Sequence, residues 1–175
     1  EVIKHALISD SSLWNDLRVG KFPDYNWLNI IERSVQLKQS VVETDPFENR
    51  LRKILNFGHT IGHAIESLRL QSTTPLLHGE AVAHGMVIES IVANEKGLID
   101  DDDLNIISKF ILAVYGKATF DSKDSKFIIQ NVLQDKKNEG SRVLMALIDD
   151  IGHAKWDCET QSEEILKALD IYEQL

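Results

Sequence analysis

Cysteine is almost absent from this chain of 175 residues, and the single Cys158 cannot close an internal disulfide. That pattern suits a reducing compartment. Proline is scarce as well, with 3 against 9 glycines, and no internal repeat or low-complexity run interrupts the sequence. No apolar run reaches the ~18 residues that a membrane-spanning helix needs. No basic leader precedes an apolar stretch either, so the expectation is a cytoplasmic chain with no membrane span or signal peptide. Positive charge is in the minority, with 19 Lys and Arg against 28 Asp and Glu and a net charge of -9. Such a balance argues against a nucleic-acid partner, because phosphate backbones are held by clustered Lys and Arg. What is present is enough for one acidic globular domain with a sizeable core. The sequence opens on Glu1 rather than Met, inside what reads as a continuing helix, and is therefore read as a piece of a longer protein.

Apolar residues recur with a three-to-four-residue period, so the expected fold class is mainly α. Helices are expected from Glu1 to about Ser9, from Ser12 to Arg18, and from Trp27 to about Glu43, with punctuation at Pro23-Asp24-Tyr25-Asn26. A further helix is expected to start at Asp45-Pro46, since proline is favoured in a first turn, and to run to about Arg69. Ser72 to Pro75 reads as a loop, and His78-Gly79-Glu80 leads into an Ala, Val and Met-rich helix that Gly97 stops. The acids Asp100 to Asp103 could pass for a metal cluster, but they suit the N-terminus of the next helix better. Helices also follow Asp124 and Ser162. Between these two, Val143 to Ile148 and Ala154 to Trp156 flank Asp149-Asp150-Ile151-Gly152, which predicts one small β-hairpin.

The informative stretch is Arg50 to Arg69. Taken as one helix at about 100° per residue, Glu48, Arg52, Asn56, His59, His63 and Glu66 fall within an arc of roughly 80°. A surface helix can have a polar face, but here both histidines follow a glycine, in Gly58-His59 and Gly62-His63. Glycine costs about 1 kcal/mol against alanine inside a helix, so two on adjacent turns call for close packing or ligand access. His59 and His63, four residues apart, can reach one metal ion or one substrate. His78 arrives after a short loop, with Glu80 two residues on. Imidazoles with a carboxylate are what Zn²⁺ takes in an open catalytic site. A single histidine would read as an ordinary hydrogen-bonded one; three within this short span read as a site. His84 projects about 240° around its helix from His78 and reads as structural. His5 and His153 have no spacing partner and read as ordinary. Arg52 shares the histidine face, and with nearby lysines it would suit a carboxylate or phosphate, whereas spacing alone puts Lys38 and Lys136 on solvated faces.

Three segments together resemble the 3-dehydroquinate synthase family: Glu1-Val-Ile-Lys4, then Arg52-Lys-Ile-Leu-Asn56-Phe-Gly-His59-Thr-Ile-Gly-His63-Ala-Ile-Glu66, then His78-Gly-Glu-Ala-Val-Ala-His-Gly-Met86. Asp135-Lys136-Lys137 followed by a hairpin ending in Ile151-Gly152 fits the same family. The resemblance implies that residues 1–175 form a single helical metal- and substrate-binding domain, the C-terminal domain of a two-domain enzyme whose NAD-binding α/β domain lies outside this sequence. It implies a shikimate-pathway lyase, active in aromatic amino acid biosynthesis, that converts 3-deoxy-arabino-heptulosonate 7-phosphate to 3-dehydroquinate and phosphate. NAD and Zn²⁺ are the implied cofactors, with Co²⁺ possible, and a homodimer is the implied assembly. By the same resemblance the metal ligands are Glu1, His59 and His78, whereas spacing would have chosen His63 as the third. His63, Lys4 and Asn56 take catalytic roles, and Lys38, Arg52 and one of Lys136 and Lys137, preferably Lys137, contact the substrate anion. His5-Ala6 stands where the family more often has Tyr-Gly, and His84 where an aliphatic residue is usual.

Other readings make different predictions. A sugar-phosphate cyclase such as 2-deoxy-scyllo-inosose synthase closes a substrate without a carboxylate, and the set Lys38, Arg52, Asn56 and His63 favours the carboxylate-bearing one. A polyol dehydrogenase of the related fold would accumulate NADH. A helical interaction domain would bind no metal and would lose nothing on His59→Ala.

Overall fold

The computed structural model describes residues 1–21, 24–70, 75–134 and 142–175. Pro23, the loop residues Ser72 to Thr74, and Asp135, Lys136 and Lys137 lie outside the described residues. Described in chain order are α1 (Val2–Ser9), α2 (Ser11–Val19), α3 (Trp27–Thr44), a 3-10 segment (Leu51–Asn56), α4 (His59–Arg69), α5 (His78–Glu95), α6 (Asp101–Tyr115), α7 (Ser122–Gln134), β1 (Arg142–Asp150), β2 (His153–Gln161) and α8 (Ser162–Tyr172). The mainly helical class and the single hairpin agree with the sequence reading. None of these helices is long and apolar enough to cross a membrane.

Local chemistry explains most of the boundaries. Asp10 caps α2 by accepting from Leu13 N at 2.9 Å, and Asp100 caps α6 by accepting from Asp103 N at 2.9 Å. The acids after Asp100 therefore serve the helix, as their position predicts. At the start of α5, Glu80 reaches back to accept from Leu77 N at 2.8 Å, so this carboxylate is a cap rather than a neighbour for an ion. Gly97 closes the other end of α5 with its N–H on Asn94 O at 2.8 Å.

α5 organises the core. Every residue from Ala81 to Ala93 is buried, and a helix that is apolar on all sides belongs inside a domain. It packs against α4, α6, α8 and β1. The contact with α4 is unusually close: a Cβ on Gly62 would lie 2.9 Å from Val82 Cα, and one on Gly85 would lie 2.1 Å from Gly58 O. The close packing expected from the two Gly-His pairs is therefore present.

Two expectations need correction. The predicted continuous helix from Asp45 to Arg69 is broken. Asp45 draws the backbone into a turn by accepting from Asn49 N, Arg50 N and Arg52 N at 3.1, 2.7 and 3.1 Å. A 3-10 segment follows, and the chain then reverses its hand at Gly58, with φ +78. The 100° wheel for Glu48 to Glu66 thus does not apply across Gly58. The hairpin is also longer than expected, pairing Arg142 with Gln161 at one end and Asp150 with His153 at the other. Its second strand is largely polar and exposed, which hid its full length from an apolar pattern; the buried face belongs to β1. The hairpin turn is tied to α1 through Gly152 N on Leu7 O at 2.8 Å.

Candidate metal centre and substrate cavity

The break at Gly58 makes His59 the first residue of α4 and places His63 one turn further on, while His78 is the first residue of α5. The three rings meet where these helix ends converge. Their centroids are 5.3 Å apart for His59 and His63, 5.6 Å for His59 and His78, and 5.7 Å for His63 and His78. One ring nitrogen from each lies within 4.8 Å of the other two.

Hydrogen bonds choose the tautomers. His59 Nδ1 lies 3.2 Å from Phe57 O, and His78 Nδ1 lies 3.0 Å from Glu66 Oε2. A carbonyl and a carboxylate only accept, so in the neutral form of each ring Nδ1 carries the proton and Nε2 the lone pair. An acceptor behind one ring nitrogen and a free lone pair on the other is how metal-binding histidines are oriented. Burial, followed by the positive charge of Lys4, holds His59 down at about 4, so its imidazole is neutral and able to ligate at neutral pH. The donor chemistry therefore fits a divalent ion with borderline preferences such as Zn²⁺.

Glu1 acts electrostatically on His59 and itself sits in a basic setting. Its carboxylate oxygens meet Lys4 Nζ at 3.0 Å, His5 Nε2 at 3.1 Å and Lys38 Nζ at 3.4 Å. His5, ahead of Lys4, holds the carboxyl well below the usual range against the opposing effect of burial. His5 is itself buried, with Nδ1 2.7 Å from Ser34 Oγ. Lys4 is buried as well, donating to Leu55 O at 2.7 Å besides Glu1.

A cavity of about 610 Å³ opens against His59 and His63 and is walled by Glu48, Lys53, Asn56 and Asp157, with Met145 on the hairpin side. Asn56 Nδ2 donates to Glu48 Oε1 at 2.8 Å, and Lys53 Nζ bridges both oxygens of Asp157 at 2.8 and 2.7 Å. The cavity thus gathers Asn56, His59 and His63 from the sequence-derived set. Lys4 and Lys38 gather instead on Glu1. Arg52 is turned toward Pro46 O at 3.0 Å, with Glu48 at 4.0 Å.

Several residues went unnoticed in the sequence as site members. His5 has no histidine partner by spacing, although its spacing of four from Glu1 at the start of α1 is a legible signal. Lys53 and Asp157 meet only through the fold, and Asp157 sits at φ 55 in the irregular part of the hairpin. Glu89 is fully buried on α5; burial pushes its carboxyl up to about 8, against the backbone N–H groups of Ile61, Gly58 and Thr60. Its signal was a charged residue inside an apolar run. His84 is structural as expected, buried with Nδ1 2.9 Å from the Tyr172 hydroxyl.

Residues 1–138 match the family described as 3-dehydroquinate synthase C-terminal. Among curated relatives, the 3-dehydroquinate synthase of Parabacteroides distasonis is 37% identical over 99% of this chain and 50% of its own length. That of Thermodesulfovibrio yellowstonii is 36% identical over 97% of this chain and 48% of its own length. The chain therefore spans about half the length of the curated relatives it matches. Among solved structures, 2-epi-5-epi-valiolone synthase from Streptomyces hygroscopicus subsp. jinggangensis, with NAD⁺ and Zn²⁺ bound, superposes with a TM-score of 0.80 at 22% identity, over 99% of this chain and 49% of that one. A 2-deoxy-scyllo-inosose synthase complexed with carbaglucose-6-phosphate, NAD⁺ and Co²⁺ gives 0.74 at 23%, over 96% and 48%. At these identities the structural likeness establishes the fold alone.

Proposed function

The chain belongs to the 3-dehydroquinate synthase C-terminal family, and from that premise we propose that it is the metal- and substrate-binding half of a 3-dehydroquinate synthase. The reaction proposed is conversion of 3-deoxy-arabino-heptulosonate 7-phosphate to 3-dehydroquinate and phosphate. In this proposal an NAD-binding α/β domain supplies the other half of the site, and the full-length protein is a cytoplasmic homodimer of the shikimate pathway. The observation that carries the reading is the convergence of His59, His63 and His78, two of them with Nδ1 already occupied, with a cavity opening against His59 and His63. The relatives named 3-dehydroquinate synthase support it at 36–37% identity.

His59, His78 and Glu1 are proposed to hold Zn²⁺, with Co²⁺ as a substitute. When bound, the ion supplies a Lewis acid at a substrate hydroxyl and NAD⁺ supplies a transient hydride acceptor. The side chains of this chain do the rest. Lys4, held between Glu1 and Leu55 O, keeps a positive charge beside the metal-binding carboxylate. His63, one turn from His59 and exposed at the cavity, takes and returns protons as phosphate leaves. Asn56, oriented by Glu48, donates to substrate oxygens, and Lys38, Arg52 and one of Lys136 and Lys137 receive the substrate's anionic groups. Clustering of the imidazoles favours a second ligand set, in which His63 replaces Glu1. Metal content separates the two: the proposal expects loss on Glu1→Gln and retention on His63→Ala, and the second set expects the reverse.

The test of the reaction is phosphate release by the full-length protein with NAD⁺. Release from 3-deoxy-arabino-heptulosonate 7-phosphate without net NADH supports the synthase. NADH accumulating in step with substrate would assign a dehydrogenase, and release only from a hexose phosphate lacking a carboxylate would assign a neighbouring cyclase.

A further inference from the structure

α4 begins without a cap of its own. Its N-cap residue is Gly58, which has no side chain to accept from the first-turn amides. No residue that could cap fits there, because the backbone is left-handed and a Cβ would lie 2.4 Å from Met86 Cγ and 2.9 Å from Val82 O. The missing acceptor comes from the neighbouring helix. Glu89 on α5, 0% exposed, accepts from Gly58 N on Oε2 at 2.7 Å and from Ile61 N on Oε1 at 3.0 Å.

We propose that Glu89 is the positioning residue of the imidazole cluster, a cap supplied by α5 that fixes the first turn of α4 and so the placement of His59 and His63 against His78. The two amides it holds flank His59, one residue before it and two after. His78 and Glu89 lie about three turns apart on the same helix. One rigid element therefore carries one imidazole and grips the backbone under the other two. Packing alone does not account for the residue, since a buried carboxylate is costly unless paired, and a leucine or methionine would fill the same space. What those residues lack is the pair of acceptors that unsatisfied helix-end amides require.

This inference rests on the metal reading proposed above. Its test uses the full-length protein with Co²⁺ as the probe, following affinity by chelator competition and ligand geometry by visible absorption. Glu89→Gln keeps the shape and one acceptor oxygen but turns an N–H₂ toward the other amide. The expected result is a Co²⁺ affinity lower by about ten- to a hundredfold with shifted absorption bands. Ile165→Val, a core truncation on α8, is expected to leave both readings unchanged. Wild-type affinity and bands in Glu89→Gln would overturn the proposal. If Glu89→Gln does not fold, Glu89→Asp, which retains both carboxyl oxygens but is one methylene shorter, decides by the same two readings: altered bands support positioning, and unaltered ones overturn it. A wild-type protein that binds no Co²⁺ overturns the metal reading itself, and this inference with it.

Discussion

Glu66 Oε2 accepts from His78 Nδ1 across 3.0 Å, linking the middle of α4 to the first residue of α5. This contact sets the tautomer of His78 and presents its Nε2 to the cluster. An exposed pair of this kind adds little to stability, but a carboxylate behind a ligating imidazole strengthens metal binding. Glu66→Ala is therefore expected to lower Zn²⁺ affinity by about ten- to a hundredfold while moving the melting temperature little. Chelator competition and thermal denaturation of the same preparation separate the two effects; equal affinity in mutant and wild type would contradict the assigned tautomer.

The α4 and α5 backbones leave no room for a methyl group at Gly85, where a Cβ would lie 2.1 Å from Gly58 O. Gly85→Ala is expected to destabilise by at least about 1–3 kcal/mol, the usual cost of overpacking. Gly79 on the same helix faces open space, so Gly79→Ala should be neutral or stabilising by up to about 1 kcal/mol. Denaturant unfolding of both variants checks the contrast. Similar losses in both would mean that the close approach of the two helices is not as described.

The helix ends and the glycine packing were legible in the sequence because they depend on neighbours along the chain. Asp100 caps its own helix, Gly97 ends the helix before it, and Gly62 packs as its position beside His63 suggested. The reversal at Gly58 was not legible. A glycine inside an amphipathic pattern reads as close packing, and what bars a side chain there, Met86 and Val82, lies far along the sequence. Of the candidate site, the three histidines were found by spacing, and Glu1 and Lys4 entered through family likeness. Glu89, Lys53 and Asp157 needed the tertiary fold, since each acts on a residue that local periodicity cannot bring near.

His84 offers a structural counterpart to the cluster. The Tyr172 hydroxyl meets His84 Nδ1 at 2.9 Å and accepts from Ala118 N at 3.2 Å. Tyr172→Phe removes the partner of both groups, and leaving buried polar groups unsatisfied costs about 1–3 kcal/mol. The expected outcome is lower stability in denaturant with unchanged metal affinity. A fall in metal affinity would place His84 in the site after all.

pH should act on the metal-free protein through His59. Its folded value is about 4 against an ordinary 6.5, so between these values the unfolded chain binds a proton that the folded chain does not. Stability then rises with pH over this window and is lost as pH falls through it. Glu89, raised to about 8, gives a slope of the opposite sign from about 4.5 to 8, but it is common to wild type and His59→Gln. The difference between their unfolding free energies, measured from pH 4 to 7, should therefore carry the His59 slope alone. No pH dependence in that difference would show that His59 titrates normally in the folded state.

His59 and His78 are proposed to hold a metal ion that the proposed reaction requires. The most direct measurement strips metal from the full-length protein with a chelator, restores Zn²⁺ in steps, and follows bound metal and phosphate release from 3-deoxy-arabino-heptulosonate 7-phosphate together with NAD⁺ present. The expected result is that release disappears on stripping, returns in proportion to bound Zn²⁺ and levels off at one ion per chain, with none regained by His59→Ala. Undiminished release from metal-free protein, or full recovery by His59→Ala, would contradict it.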